Sequence, residues 1–423
     1  MANNLESNIS TVVYPVIAAG FESNRVSTKT VDTTGLSGKH KDSTGSIVYE
    51  KRKTSFRGTE TADGDISGSA PNNGLLVGNI PFTVQNVITV DTDWTAVEEA
   101  LETNQLDQLL MPMGEELITI AERNFNDYII THAGLTYGDP DTAVSTWSDI
   151  ANVEALMNEI GVPSSGNKYY QMNSYTSATL AGLQTGLAAD GQVRSAWENS
   201  IVSSPLAGMI SLKSNALRSF TSGTSADRVG ALAANPDVTW ATHKDTMIQT
   251  ISVSGFTAAG TIKAGEVIEV TGRHHVNPRN SNVLLDATNT QVKFRWTVVS
   301  DVTLDGAGAG TVSVTNAAIF DAASNNQYDN IDSAPVSGDV VTVLGTESAI
   351  YKPNLAYHRD AFCFATVQLP ALNATSTNYK TEDGLSFRMT KFSSELENKQ
   401  QIRVDMMPAF GVKNPLHAVR CYG

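Results

Sequence analysis

Two adjacent histidines, His274 and His275, are the first residues whose type invites a metal or proton-transfer role. Neighbouring side chains on a strand point to opposite faces, so the pair cannot easily share one ion, and loop histidines are the better reading. Asp63-Gly-Asp65 offers two carboxylates in the manner of a calcium loop, without the later oxygen ligands that such a loop needs. Gly306-Ala-Gly-Ala-Gly310 is glycine-rich like a phosphate cradle but lacks the Lys-Ser/Thr pair and the following helix, so it reads as a flexible turn. The sequence contains no Gly-x-Ser-x-Gly, His-Glu-x-x-His or Cys-x-x-Cys. No catalytic residue, cofactor site or metal ligand set emerges, and the expectation is a protein that is not an enzyme.

The chemistry that remains is charge. Between Gly58 and Asn167 the only Lys or Arg is Arg123, set against 18 Asp and Glu. Just upstream stand six basic residues, Lys39, Lys41, Lys51, Arg52, Lys53 and Arg57, against Asp42 and Glu50. A basic block beside a long acidic one suits complementary contacts between neighbouring copies, although in an ordinary monomer both would be solvated faces. The net charge of −15 argues against general nucleic-acid binding, because phosphate contacts need clustered cations. A mildly acidic wall could still enclose nucleic acid without adhering to it.

These charges need a body to carry them. A chain of 423 residues should hold two to four domains, and an apolar content of 41% with 17% charged residues is that of a globular protein. Two cysteines are too few for a disulfide framework and suggest a reducing compartment. Cys363, between Phe362 and Phe364, reads as a buried, inert thiol. With no basic leader and no run of about 18 apolar residues, the expected protein is made in the cytosol and neither secreted nor membrane-spanning.

Leu5, Ile9, Val12, Val13, Val16 and Ile17 follow helical spacing, with Pro15 predicting a kink. So short an amphipathic piece needs a partner surface: its own subunit, a neighbour or an assembly factor. Gly35 to Gly78 is rich in small polar residues around a strand-like Ser46–Glu50, which suits an extended loop, and Pro81–Val90 returns as one strand. Two helices, Trp94–Met111 and Gly114–Ala133, are expected on either side of Pro112. The second carries Leu117, Ile120, Ala121, Phe125, Tyr128 and Ile129 on one face. Helix and strand then alternate: helix Asp149–Ile160, strand Lys168–Met172, a helix from Ser174 through Leu183, helix Gln192–Ser200 and strand Met209–Leu212. Over 224–346 strands dominate (Met247–Val253, Glu266–Val270, Val292–Val298, Asp339–Leu344), separated by Gly, Asn and Asp turns. That pattern predicts one inserted antiparallel barrel or sandwich.

The C-terminal segment is the most specific. Asn354-Leu-Ala-Tyr-His-Arg-Asp-Ala-Phe362, the alternating Gly384–Phe392 and the closing Arg403-Val-Asp405 with Gly411 and Pro415 resemble the signature of tailed-phage major capsid proteins of the HK97-type fold. An inserted β domain ahead of Lys352-Pro-Asn-Leu355 is similar to coat proteins of short-tailed phages infecting Salmonella and Shigella. Gly64-Asp-Ile-Ser-Gly68, Leu101 to Leu110, Gln184-Thr-Gly-Leu187 and Ala196-Trp-Glu-Asn199 extend the resemblance over nearly the whole chain, and it weakens across Arg273–Thr290.

The resemblance implies an α+β fold with an N-arm (1–34), an extended loop with flanking strands (35–90) and a spine helix with P-domain region (91–140). The first part of the A-domain (141–223), an inserted β-barrel (224–346) and the C-terminal A- and P-domain strands (347–423) follow. It implies a major capsid protein that self-assembles into an icosahedral shell around double-stranded DNA, packaged without sequence-specific binding. Assembly would pass through a precursor built on a scaffolding protein, with a portal at one vertex, in the host bacterial cytoplasm and without a membrane. Three surfaces are expected to serve it. Lys51, Arg52, Lys53 and Arg57 would meet a neighbour's Glu98, Glu99 and Glu102. The loop at Lys244 and Asp245 would, by resemblance, meet its mate across a two-fold axis. The N-arm would use Leu5, Ile9, Val12, Val13 and Val16. The rival reading is a secreted or surface adhesin whose β domain binds glycan, which leaves the helical segment and the C-terminal signature unexplained. A cellular nanocompartment would share the fold but enclose a cargo enzyme.

Overall fold

The computed structural model describes residues 14–23, 25–33, 45–58, 60–67, 75–95, 106–164, 166–184, 205–324, 326–371, 376–394 and 397–423. They fall into two compact units. One comprises Met1–Tyr49, Pro81–Asp127 and Phe362–Gly411; the other comprises Glu50–Ile80, Tyr128–Ala361 and Val412–Gly423.

In the first unit the 14-residue strand Lys399–Val412 is the axis of a sheet. Ile88–Thr95 runs antiparallel along it from Thr95 opposite Lys399 to Ile88 opposite Met406, and Ser386–Ser394 pairs with it as well. The expected strand Pro81–Val90 is instead two strands, Asn79–Val84 and Ile88–Thr95. At the break the Gln85 N–H still donates to the Pro408 carbonyl at 2.8 Å, so both pieces line the same long partner. The Arg403-x-Asp405 motif is a buried charge network. Asp405, fully buried, accepts from Arg388 at 2.5 Å, Arg403 at 2.7 Å and Thr89 at 2.7 Å. Burial opposes its ionisation, but the two guanidinium groups and the hydroxyl outweigh that and hold the carboxyl below its usual range.

Proline does not divide the helical segment. A single 27-residue helix, Leu106–His132, runs through Pro112, while Trp94 belongs to a strand. Pro112 lies on the exposed side, and Leu110, Met113, Leu117, Ile118, Ala121 and Phe125 bury the other, so packing overrides the lost hydrogen bond. Phe125 meets Phe364 and Phe410 at ring separations of 5.2 and 5.3 Å. Pro15 sits in the first turn of helix Tyr14–Ser23, where its missing N–H costs nothing, so no kink is required. That helix docks on its own subunit: Ile17, Ala18 and Phe21 are buried. A Cβ on Gly20 or on Gly114 would collide with the backbone of Met111 or Ile17 respectively. Glu122, buried on the long helix, then accepts the N–H groups of Val26, Ser27 and Thr28 at 3.0, 3.0 and 2.8 Å.

The second unit holds a five-stranded sheet in the order Leu135–Tyr137, Ala418–Cys421, Asn354–His358, Lys168–Met172, Ile210–Lys213. The signature residues Asn354 to His358 thus form its central, wholly buried strand. Helix Trp147–Glu159 packs Ile150, Val153, Leu156 and Met157 against this sheet. It starts two residues earlier than expected because Thr146 and Asp149 cap it reciprocally. The second helix spans Ser174–Gln184, and the expected helix Gln192–Ser200 lies outside the described residues.

The insertion is a closed six-stranded antiparallel barrel. Its circuit is Val267–His274, Lys293–Val298, Gly310–Thr315, Ile248–Ser254, Val229–Leu232 and Val340–Val343. Phe294, Trp296, Val312, Val314 and Val341 are fully buried inside it. Its entrance and exit are zipped together: Phe220 and Thr221 pair with Tyr351 and Ile350, and the Ser222 N–H reaches the Ala349 carbonyl at 2.8 Å. Arg420, Arg295 and Thr297 hold the barrel to the five-stranded sheet region. Arg420 donates to Thr136 and Thr297 at 3.0 and 2.9 Å, Arg295 to the Gly138 carbonyl at 2.9 Å and Thr297 to the Ala133 carbonyl at 2.9 Å. The two histidines are not in a loop: His274 ends a strand and meets Asp332 at 2.8 Å, while His275 packs inward on Phe294.

Adjacent chain ends favour independent folding. Residues 224–346 expressed alone are expected to give dispersed amide signals; a collapsed spectrum would show that the Arg420 contacts are needed to fold it. Burial, aided by Arg295, pushes the His275 pKa to about 3. The folded state therefore resists a proton that the unfolded chain takes up near pH 6.5. The associated stability is complete above that value and fades as pH falls, by about 2–3 kcal/mol at pH 4.5. Urea titrations at pH 7 and pH 4.5 should show this loss, and His275→Phe should remove its share while leaving those of His132 and His417, whose pKa values burial also depresses.

Candidate assembly surfaces

The extended loop leaves the strand Ile47–Lys51 at Arg52, whose N–H donates to the Gly78 carbonyl at 2.8 Å and so joins the two limbs of the loop. Gly78 lies so close to Lys244 that a Cβ there would collide with its carbonyl. This approach lets the Arg52 side chain, 7% exposed, read three backbone carbonyls at once. Nε donates to Lys244 at 2.9 Å, Nη2 to Asp245 at 2.7 Å and Nη1 to Lys413. A planar fork with five donors suits such a site; a lysine could not span it. Burial pulls the Arg52 pKa down to about 10 against the pull of Asp245, which leaves the group charged at neutral pH. For Asp245 burial works the other way, yet the Asn79 N–H at 2.6 Å, Lys244 at 3.1 Å and Arg52 keep its carboxyl below the usual range.

The clamp continues along both limbs. Thr54 hydrogen-bonds the Tyr328 hydroxyl at 2.6 Å, Gln327 donates to the Ser55 carbonyl, and the Trp240 indole donates to the Leu76 carbonyl at 2.9 Å. Trp240 and Tyr328 stack with ring centroids 4.0 Å apart, within a small core completed by Met247, Ala317 and Ile319. The loop base is therefore built into the barrel, while Phe56, Ile66 and Leu75 farther along are 61, 58 and 68% exposed.

Arg52 is thus a correction: it was expected to face a neighbour but is turned inward, because three converging carbonyls outbid solvent. Lys51 is exposed and reaches Asn79 at 2.8 Å. Lys53 keeps 91% of its side-chain surface exposed while pairing with Asp360 at 3.3 Å. Arg57 is half-buried and acts on Asp329. Lys244 and Asp245 hold the loop base of their own chain. Glu98, Glu99, Glu102, Leu5, Ile9, Val12 and Val13 lie outside the described residues; Val16 is half-buried. Sequence reasoning missed Arg420 and Glu122. Arg420 had a signal, an arginine between Val419 and Cys421 in an apolar strand; Glu122 had none, since exposed glutamates are ordinary on helices.

Among the described residues no group of three His, Cys, Asp or Glu is placed to hold a metal ion, and no helix is long and apolar enough to cross a membrane. The family model described as P22 coat protein, gene protein 5, matches residues 1–422. A curated major capsid protein of Acyrthosiphon pisum secondary endosymbiont phage 1 is 36% identical over 420 residues, covering 98% of each chain. Among solved structures, one from Mycobacterium phage Che8 aligns over 95% of this chain and 89% of that one, with TM-score 0.46 and 9% identity. The virus-like particle from Pyrococcus furiosus aligns over 96% of each chain, with TM-score 0.40 and 8% identity.

Replacing Arg52 by Met leaves three partly buried carbonyls without that donor and should cost about 2–4 kcal/mol in urea denaturation. Arg52→Lys should recover only part of that, and an Arg52→Met chain as stable as the parent would show that the clamp is dispensable.

Proposed function

From the premise that this chain belongs to the P22 coat protein family and is a phage major capsid protein of the virion shell, we propose how it builds that shell. Copies close into an icosahedral container around double-stranded DNA, starting from a precursor organised by a scaffolding protein, with a portal at one vertex, in the host cytoplasm. The role is structural. The observation that carries this reading is the extended loop, fixed at its base, with large apolar side chains exposed among its polar ones. Among the described residues Phe56, Ile66 and Leu75 find no cover, and a second copy would supply it. Each such contact need only be weak, because many symmetric contacts sum to a stable closed shell.

Within this reading Lys51 and Lys53, exposed on the fixed base, are the cations that meet a neighbour's acidic residues, Glu98, Glu99 and Glu102 among them. Arg52 is left out of that set because its charge is already committed.

The test is negative-stain microscopy of the chain alone and with its scaffolding partner. Closed uniform shells with the partner are expected, and a Lys51→Glu/Lys53→Glu chain should give fewer or distorted ones. Discrete monomers of the parent chain in both conditions would overturn the reading, and glycan binding by such monomers would point to an adhesin.

A further inference from the structure

Lys168 opens a strand of the five-stranded sheet, and its side chain keeps only 8% of its surface exposed. The groups that satisfy its amine come from one helix. Glu154 and Asn158 stand four residues apart on Trp147–Glu159 and so share a face. Lys168 Nζ donates to Glu154 Oε1 at 3.0 Å and also to Asn158 Oδ1. Asn158 Nδ2 donates to the same Glu154 Oε1 at 2.6 Å. Amine, carboxamide and carboxylate form a closed triangle in which each group touches the other two.

The triangle is held from outside. Val153, Leu156 and Met157 bury the other side of the helix, so Glu154 and Asn158 cannot turn away. The Gly161 N–H donates to the Asn158 carbonyl at 2.9 Å and the Val162 N–H to the Met157 carbonyl at 3.0 Å, which fixes the end of the helix. The turn Leu206–Met209 covers the carboxylate: a Cβ on Gly208 would lie 3.6 Å from Glu154 Oε1. Register with His358 sets Lys168 on the sheet. Asn158 itself is exposed, which leaves a small leaving group a way out.

An ion pair would need only the carboxylate; the carboxamide bound to both partners permits a reaction. Its carbonyl carbon lies about 1.2 Å behind the oxygen that Lys168 touches, so the amine is within the roughly 3–3.5 Å of a near-attack contact. A carboxylate on both nitrogens can take protons from one and deliver them to the other. Lys51 and Asn79 also meet, at 2.8 Å, but in the open, and among the described residues no carboxylate hydrogen-bonds to both side chains.

We propose that Lys168 and Asn158 join through an isopeptide bond within one chain, with Glu154 as the catalytic residue. Glu154 accepts a proton from the Lys168 ammonium, and the freed lone pair attacks Asn158 Cγ. As the tetrahedral intermediate collapses, the Cγ–Nδ2 bond breaks. Nδ2 leaves as ammonium with the two protons that Lys168 gives up, both relayed by Glu154, which ends ionised as it began. Nothing is oxidised or reduced. The new amide ties the end of the helix to the sheet and closes the loop 159–167, and it does not depend on the shell-forming reading.

Denaturing mass spectrometry of the full-length chain tests this. The parent should weigh about 17 Da less than its sequence requires, with or without Met1, through loss of ammonia. Trypsin should fail to cut after Lys168 and should release a branched peptide joining Lys168 to Asn158. Glu154→Gln, shown by circular dichroism to be folded, should have the full mass of its own sequence. A parent of full mass would overturn the proposal, as would a loss of ammonia in a chain still cut after Lys168, the mark of a succinimide. A folded Glu154→Gln chain that still carries the bond would overturn the part given to the carboxylate. Should that variant not fold, the parent's mass and its tryptic peptides decide by themselves.

Discussion

A buried guanidinium must find acceptors, and in this protein that requirement ties three distant parts of the chain into one. Arg52 draws together the extended loop, the barrel segment at Lys244 and Asp245, and the closing segment at Lys413. Take it away and the carbonyls of Lys244, Asp245 and Lys413 lose their common donor, and the Asp245 carboxylate loses a cation. For a shell subunit the consequence is geometric. A loop offered to another copy is useful only if its base cannot swing, and here the base is set by hydrogen bonds to backbone, which do not depend on rotamers of the partner.

The same device recurs throughout. Glu122 gathers three successive N–H groups of the Val26–Thr28 turn, Asp405 gathers two arginines and a threonine, and Arg420 is buried between Thr136 and Thr297. Each buried charge is worth little as net stability, because desolvation consumes most of the attraction. Each is severe when left unpaired, and so it penalises every arrangement but one. Apolar packing in the barrel and on the long helix supplies the gross stability, while these polar pins select the register in which it is realised.

Patterns that act locally were legible in the sequence. The strand Lys168–Met172 was read with its observed bounds, the presence of an antiparallel barrel was anticipated, and the helix after Thr146 was misplaced by two residues only because its capping box was overlooked. The C-terminal signature was legible as a family trait before its physical content was known; that content is a buried central strand and a carboxylate between two arginines. Pro112 was misread because helix propensity weighs a single lost hydrogen bond, whereas burial of six neighbouring side chains outweighs it.

By itself the sequence determined the class of the protein, the presence of a β-barrel and the periodicity of most elements, because side-chain alternation and turn residues act over a few positions. Only the tertiary structure decided which charges face outward. Lys51, Arg52, Lys53 and Arg57 look alike in a row, yet Arg52 is committed inward, Arg57 is half-buried beside Asp329 and Lys53 stays exposed while pairing with Asp360. A charge is spent or available according to the acceptors that folding brings within about 3 Å, and those come from residues hundreds of positions away.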